Sequence, residues 1–86
     1  MNNKYKVEVE RLDHLNPYDR VRLEEIAVLV RLSSRADETL REFYYRLQAI
    51  AKPYFVYRGG SHLAVHLDNR DSRRILLITE NKEVLA

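Results

Sequence analysis

The sequence predicts an α+β fold, a two-layer sandwich in the order β-α-α-β-β-β, with two helices on one face of a small antiparallel sheet. Three observations carry this expectation. Residues Lys4 to Arg11 alternate apolar and charged side chains with the period of a half-buried strand. Two stretches of helical spacing follow, ended by Lys52-Pro53, since the residue before proline is pushed out of the α region. Gly59 and Gly60, adjacent and the only glycines of the chain, then separate two strand-like runs, a β-hairpin signal in which glycine supplies positive backbone angles.

Taken in order, the first strand places Tyr5, Val7 and Val9 on one face and Lys6, Glu8 and Glu10 on the other. Asn16-Pro17 with Asp19 is a helix start, a capping side chain before proline at the first helical position. The helix is expected over Pro17–Leu32. Its centre, Ile26 to Val30, is apolar on every side, which predicts cover on more than one face. Ser33-Ser34 break the pattern, and Ser34 with Asp37 resembles a capping box. From there Ala36, Leu40, Phe43, Tyr44, Leu47, Ile50 and Ala51 form one buried stripe, with Arg35, Glu38, Arg41, Glu42, Arg46 and Gln48 opposite. Strands follow at 54–58 and 61–67, a polar turn at 68–72, and a last strand at 73–79. The continuous apolar run of that strand predicts a central place covered on both faces. The partner of the first strand is not legible, and the tail from Glu80 is left as a short extension.

Eighty-six residues bound the chain to one domain, 1–86, which buries only about 60–65% of its unfolded surface. A hydrophobic fraction of 45% and a charged fraction of 33% are those of an ordinary globular protein rather than a disordered one. With no cysteine there are no disulfides, thiolate metal sites or thiol nucleophiles, which favours a reducing compartment. No signal peptide is read at the start, and the longest apolar run is too short to cross a bilayer, so a cytoplasmic protein without membrane contact is expected. A net charge of +2 permits nucleic-acid binding without arguing for it.

The candidate chemistry is sparse. His62 and His66 fall on one strand face about 13 Å apart, at about 3.3 Å per residue, too far to share one metal ion. The expectation is that Leu63, Val65 and Leu67 face the core while His62, Ala64 and His66 face solvent, with no metal and no cofactor. Tyr57, Arg58, His62, Arg70, Arg73 and Arg74 gather on the hairpin and the next turn, the mixture of aromatic and cationic groups that single-stranded nucleic acid uses. Offsetting them, Asp68 and Asp71 fit a plain solvated turn. On the second helix, exposed Tyr45 beside Arg41 and Arg46 is the composition of a protein-binding hot spot, and equally of a boundary residue. A helix-turn-helix reading of residues 24–47 meets a turn with extra residues and a second helix that is nearly charge-balanced. The acids pair with arginines at helical spacing, Glu38 with Arg41 and Glu42 with Arg46, as on a solvated helix face. No phosphate loop, nucleophile elbow or metalloprotease signature is present, and no catalytic residue is assigned.

In element order, size and basic sheet the chain resembles the small ribosome-dependent or gyrase-directed toxins of the RelE/ParE class. The resemblance implies RNA cleavage on the sheet, with Arg58, Arg73 or Arg74, and Lys82 in the corresponding positions. The glycine-histidine-arginine and tyrosine that close many members are absent from the tail Glu80-Asn81-Lys82-Glu83-Val84, where the chain departs from that pattern.

Together these readings predict a non-enzymatic binding module, a regulator or inhibitor of the kind carried by phages and mobile elements. It would dock on a macromolecule, a protein in the first place and RNA or DNA as the alternative. Self-pairing through a free sheet edge into a homodimer fits so small a core.

Overall fold

In strand β1 (Tyr5–Val9) the alternation buries Tyr5 and Val7 while Lys6 and Glu8 stay exposed, as the sequence predicts, but Val9 at the strand end is exposed as well. The computed structural model describes residues 4–33, 35, 37–70 and 73–81. Three further strands, β2 (Phe55–Arg58), β3 (His62–His66) and β4 (Arg74–Glu80), complete one antiparallel sheet in the order β1-β4-β3-β2. The first strand pairs with the last, Tyr5 opposite Glu80 and Val9 opposite Leu76.

Strand β4 is central, as its apolar run predicts, but it is not covered on both faces. The run has another cause. Val65 of β3 faces Leu76 while His66 faces Arg74, so the register slips and Ile75 has no opposite residue on β3. A bulge of this kind lets Ile75 join the core beside Leu76 and Ile78, leaving Leu77 half-buried on the open face. Ala64 also departs from its expected exposure. It sits between Tyr57 and Leu77 in the register, and these larger neighbours shade its methyl group.

Helix α1 (Pro17–Leu32) starts as read: the Asn16 side chain accepts the Asp19 N–H at 2.9 Å, with proline at the first position. It buries Leu23, Ile26, Ala27 and Val30 against the sheet. Among the described residues the expected second covered face is not found, one layer lying beneath the helix. Helix α2 (Leu40–Ile50) begins later than predicted. Ser34 and Ala36, which carried the earlier start, lie outside the described residues. The capping box is Thr39 with Glu42: the Thr39 hydroxyl accepts the Glu42 N–H at 3.1 Å, and the Glu42 carboxylate accepts the Thr39 N–H at 3.2 Å. A glutamate reaches back to the cap N–H, where the shorter Asp37 has one methylene less. The Lys52-Pro53 peptide that follows α2 is cis.

The late start removes Glu38 from the solvated helix face where the sequence placed it. Only 9% exposed, it accepts two hydrogen bonds at 2.9 Å from the Arg46 guanidinium and one at 3.0 Å from the Tyr5 hydroxyl. Arg46 therefore pairs with Glu38, not with Glu42. Its guanidinium also lies 4.8 Å over the Phe43 ring, which stacks on Tyr5 with centroids 4.2 Å apart. The triad crosses from β1 to α2 and ties the sheet to the helix layer. Every buried polar side-chain atom among the described residues has a partner, as folded interiors require.

At the β2–β3 hairpin neither glycine adopts a positive φ, so the expected reason for glycine is replaced by another. A Cβ on Gly59 would collide with the His62 imidazole, whose Nδ1 lies 2.7 Å from that position. Glycine there permits close approach of a ring to the backbone rather than a left-handed turn.

Candidate functional site

A helix with one covered face needs only one apolar stripe, and α1 has two. Tyr18, Val21, Glu25, Val28 and Leu32 follow each other at alternating steps of three and four residues, which places them on a single line along the helix. That line lies opposite the buried residues, and Leu29 flanks it. Val21, Val28, Leu29 and Leu32 are 56%, 50%, 46% and 63% exposed. Isolated exposed apolar residues are ordinary, whereas several along one helix line, here interrupted by Glu25, make that line a candidate interaction surface. Val21, Glu24, Glu25, Val28 and Leu29 line an open groove of about 410 Å³. The Glu25 carboxylate lies 3.5 Å from Arg22, and Arg31, beyond the groove residues, donates to the Val7 carbonyl at 3.2 Å.

A second surface is the face of the sheet that neither described helix covers. Phe55 and Tyr57 on β2 have ring centroids 4.7 Å apart, and the His66 ring meets Tyr57 edge-on at 4.5 Å. The Tyr57 hydroxyl donates to the Asn69 carbonyl at 3.2 Å, holding the turn after β3 against the rings. Phe55 and Tyr57 remain 40% and 38% exposed.

The six residues read as a nucleic-acid set are not brought to one place. Tyr57 and His62 share the open face, whereas Arg58 points to the helix side, its guanidinium 5.6 Å over the Tyr44 ring. Arg74 is engaged with Glu10 at 3.0 Å, a bond that holds the Glu10 carboxyl below the usual carboxylate range and raises Arg74. Arg70 lies exposed in the turn, its backbone N–H given to Asp68, and Arg73 is exposed just before β4. Asp71 and Lys82 lie outside the described residues. The trio read for protein binding divides as well. Arg41 and Tyr45 stand one turn apart on exposed α2 surface, while Arg46 is held inside the Glu38 network.

Tyr54, at the foot of the hairpin, donates to the Asp19 carboxylate at 2.6 Å. Burial and that carboxylate push its hydroxyl above the ordinary tyrosine range, which suits a structural tie between α1 and the hairpin. Among the described residues no group of three or more His, Cys, Asp or Glu side chains is placed to hold a metal ion, and no helix is long and apolar enough to cross a membrane. Sequence reasoning missed the outer stripe of α1, although its spacing was present in the sequence. It also missed Phe55 as a partner of Tyr57. Compared with protein-family models, curated proteins and solved structures, the chain matches none.

Proposed function

We propose that the protein is a small non-enzymatic docking module that binds a helix of a protein partner along the outer face of α1. The observation that carries this reading is the row of four exposed aliphatic side chains beside the groove. Docking a helix there recovers burial that the isolated chain forgoes, about 1–2 kcal/mol for each large aliphatic side chain. The sequence-level expectation of a cytosolic regulator or inhibitor fits a chain whose prominent feature is a contact surface rather than a reactive cleft.

The test uses Val28→Glu with Leu32→Glu. Both side chains are at least half exposed, so the fold is expected to survive with circular dichroism and melting temperature nearly unchanged. Partner affinity is expected to fall at least about a hundredfold, since two apolar contacts are lost and two carboxylates are desolvated. Partner capture by the double variant equal to that of the wild type sinks the reading.

The ring cluster on the open sheet face favours a second reading, binding of single-stranded RNA or DNA by base stacking. It predicts that Phe55→Ala with Tyr57→Ala weakens oligonucleotide binding by about 2–6 kcal/mol, at roughly 1–3 kcal/mol per stacked base. Binding would also weaken as salt rises. Absence of oligonucleotide binding by the wild type at low salt removes this alternative.

A further inference from the structure

We infer that the helix docked on α1 is α1 of a second copy, running antiparallel, and that the protein works as a homodimer. The inference rests on the docking reading above and names its partner. Val21, Glu24, Glu25 and Val28 stand at i, i+3, i+4 and i+7, the four corners of a hole that receives one side chain from a facing helix. Two of those corners are acids. The knob that fits is therefore apolar, with a cation beside it.

Helix α1 itself carries that combination. Val28 lies on the exposed line, and Arg31 falls on the same flank of the helix as Glu24, seven residues from it. A two-fold axis between Ile26 and Ala27 seats Val28 of the second copy in the hole. The same axis sets Val21 against Leu32 and brings Glu24 beside Arg31, every contact being made twice. Arg31 has five N–H donors, and its bond to the Val7 carbonyl leaves others for Glu24. Glu25, which falls on the seam, brings its own counter-ion in Arg22 at 3.5 Å. The competing arrangements are worse. A parallel pair places Glu25 against Glu25, and sliding the antiparallel pair by one heptad places Glu24 against Glu24 while Leu32 loses its partner.

Sedimentation equilibrium of the full chain is expected to show a reversible dimer. Glu24→Arg or Arg31→Glu alone weakens it roughly tenfold, because two symmetric pairs each lose an attraction and gain a repulsion, and the double exchange restores it. The chain has no cysteine, so oxidation of mixed Glu24→Cys and Arg31→Cys variants reports the register directly. The mixture is expected to form a disulfide-linked dimer, and neither variant alone. A wild type that stays monomeric into the hundreds of micromolar overturns the inference. If Val28→Glu with Leu32→Glu then still abolishes binding of a different protein, the docking reading survives without self-pairing. A dimer indifferent to charge exchange and lacking the mixed disulfide also overturns it, and assigns association to another surface such as a sheet edge.

Discussion

Arg46→Ala is expected to lower stability by about 3 kcal/mol, far more than a residue on a helix flank ordinarily contributes. The cost arises at Glu38. Its side chain is 7% exposed, and losing Arg46 leaves that carboxylate, among the described residues, with the Tyr5 hydroxyl as its hydrogen-bond donor and the charge of Arg35 near it. Breaking a buried pair costs about 3–5 kcal/mol, and the lower end applies because Arg46 keeps 26% of its side-chain exposure. The effect also has a pH signature. The Arg46 hydrogen bonds hold the Glu38 carboxyl below the usual carboxylate range, with the Tyr5 hydroxyl assisting and burial opposing. A depressed folded pKa means stability that is present above the unfolded value of about 4.3 and is lost as pH falls through the folded one. Urea denaturation at pH 7 and near pH 3 is therefore expected to show the wild type and Arg46→Ala converging on acidification. Glu10 contributes to the acid limb of both proteins, so their difference isolates Glu38. A penalty under 1 kcal/mol, or one independent of pH, sinks this account of the triad.

Local pattern makes most of the fold legible in the sequence. The alternation of Tyr5, Val7 and Val9, the Asn16-Pro17 start and the paired glycines each act over a few residues, and each marks its element within one or two positions. The misplaced start of α2 shows where local reading stops. Ser34 and Thr39 both precede an acid by three residues, and the choice between them turns on the reach of a glutamate and on the burial of Glu38. That burial depends on Tyr5, 33 residues away. The pairing of β1 with β4 is likewise a long-range fact that no spacing announces. The apolar run of β4 suggests two-sided cover, whereas the register slip at Val65 and His66 accounts for it.

The candidate surfaces were less legible, and the reason lies in what an apolar residue can mean. Val28 and Leu29 in a helix centre read as core, and nothing in the sequence says whether a layer covers them. Only the placement of α1 over β1, with Leu23, Ile26, Ala27 and Val30 facing inward, shows the other side uncovered by the described residues. Arginines are ambiguous in the opposite sense. Arg46 and Arg74 read as available charges, yet both are engaged by acids brought from elsewhere in the chain, Glu38 and Glu10. Arg58 and Tyr57 are neighbours in sequence and fall on opposite sides of the sheet because strand side chains alternate.

Phe43→Ala is expected to be more damaging still, lowering stability by about 4 kcal/mol and the melting temperature by about 20 °C. The ring is fully buried, stacks on Tyr5 at 4.2 Å and carries the Arg46 guanidinium at 4.8 Å. Alanine thus removes burial, leaves a cavity and strips both contacts, in a domain whose whole stability is of the order of 5–10 kcal/mol. Phe43→Leu keeps most of the volume and is expected to cost about 1.5 kcal/mol. Because Arg46 touches the same ring, the two alanine substitutions are expected to fall short of additivity by about 1 kcal/mol, while Phe43→Ala with Val28→Glu is expected to add. That contrast separates what holds the molecule together from the proposed docking surface. Phe43 lies between α2 and the sheet, and Val28 lies on the bare side of α1. Phe43→Leu is accordingly expected to retain partner affinity, and Val28→Glu with Leu32→Glu to retain the melting temperature. If Phe43→Leu loses partner binding while still folded, the docking surface extends onto α2 and the assignment to α1 alone fails.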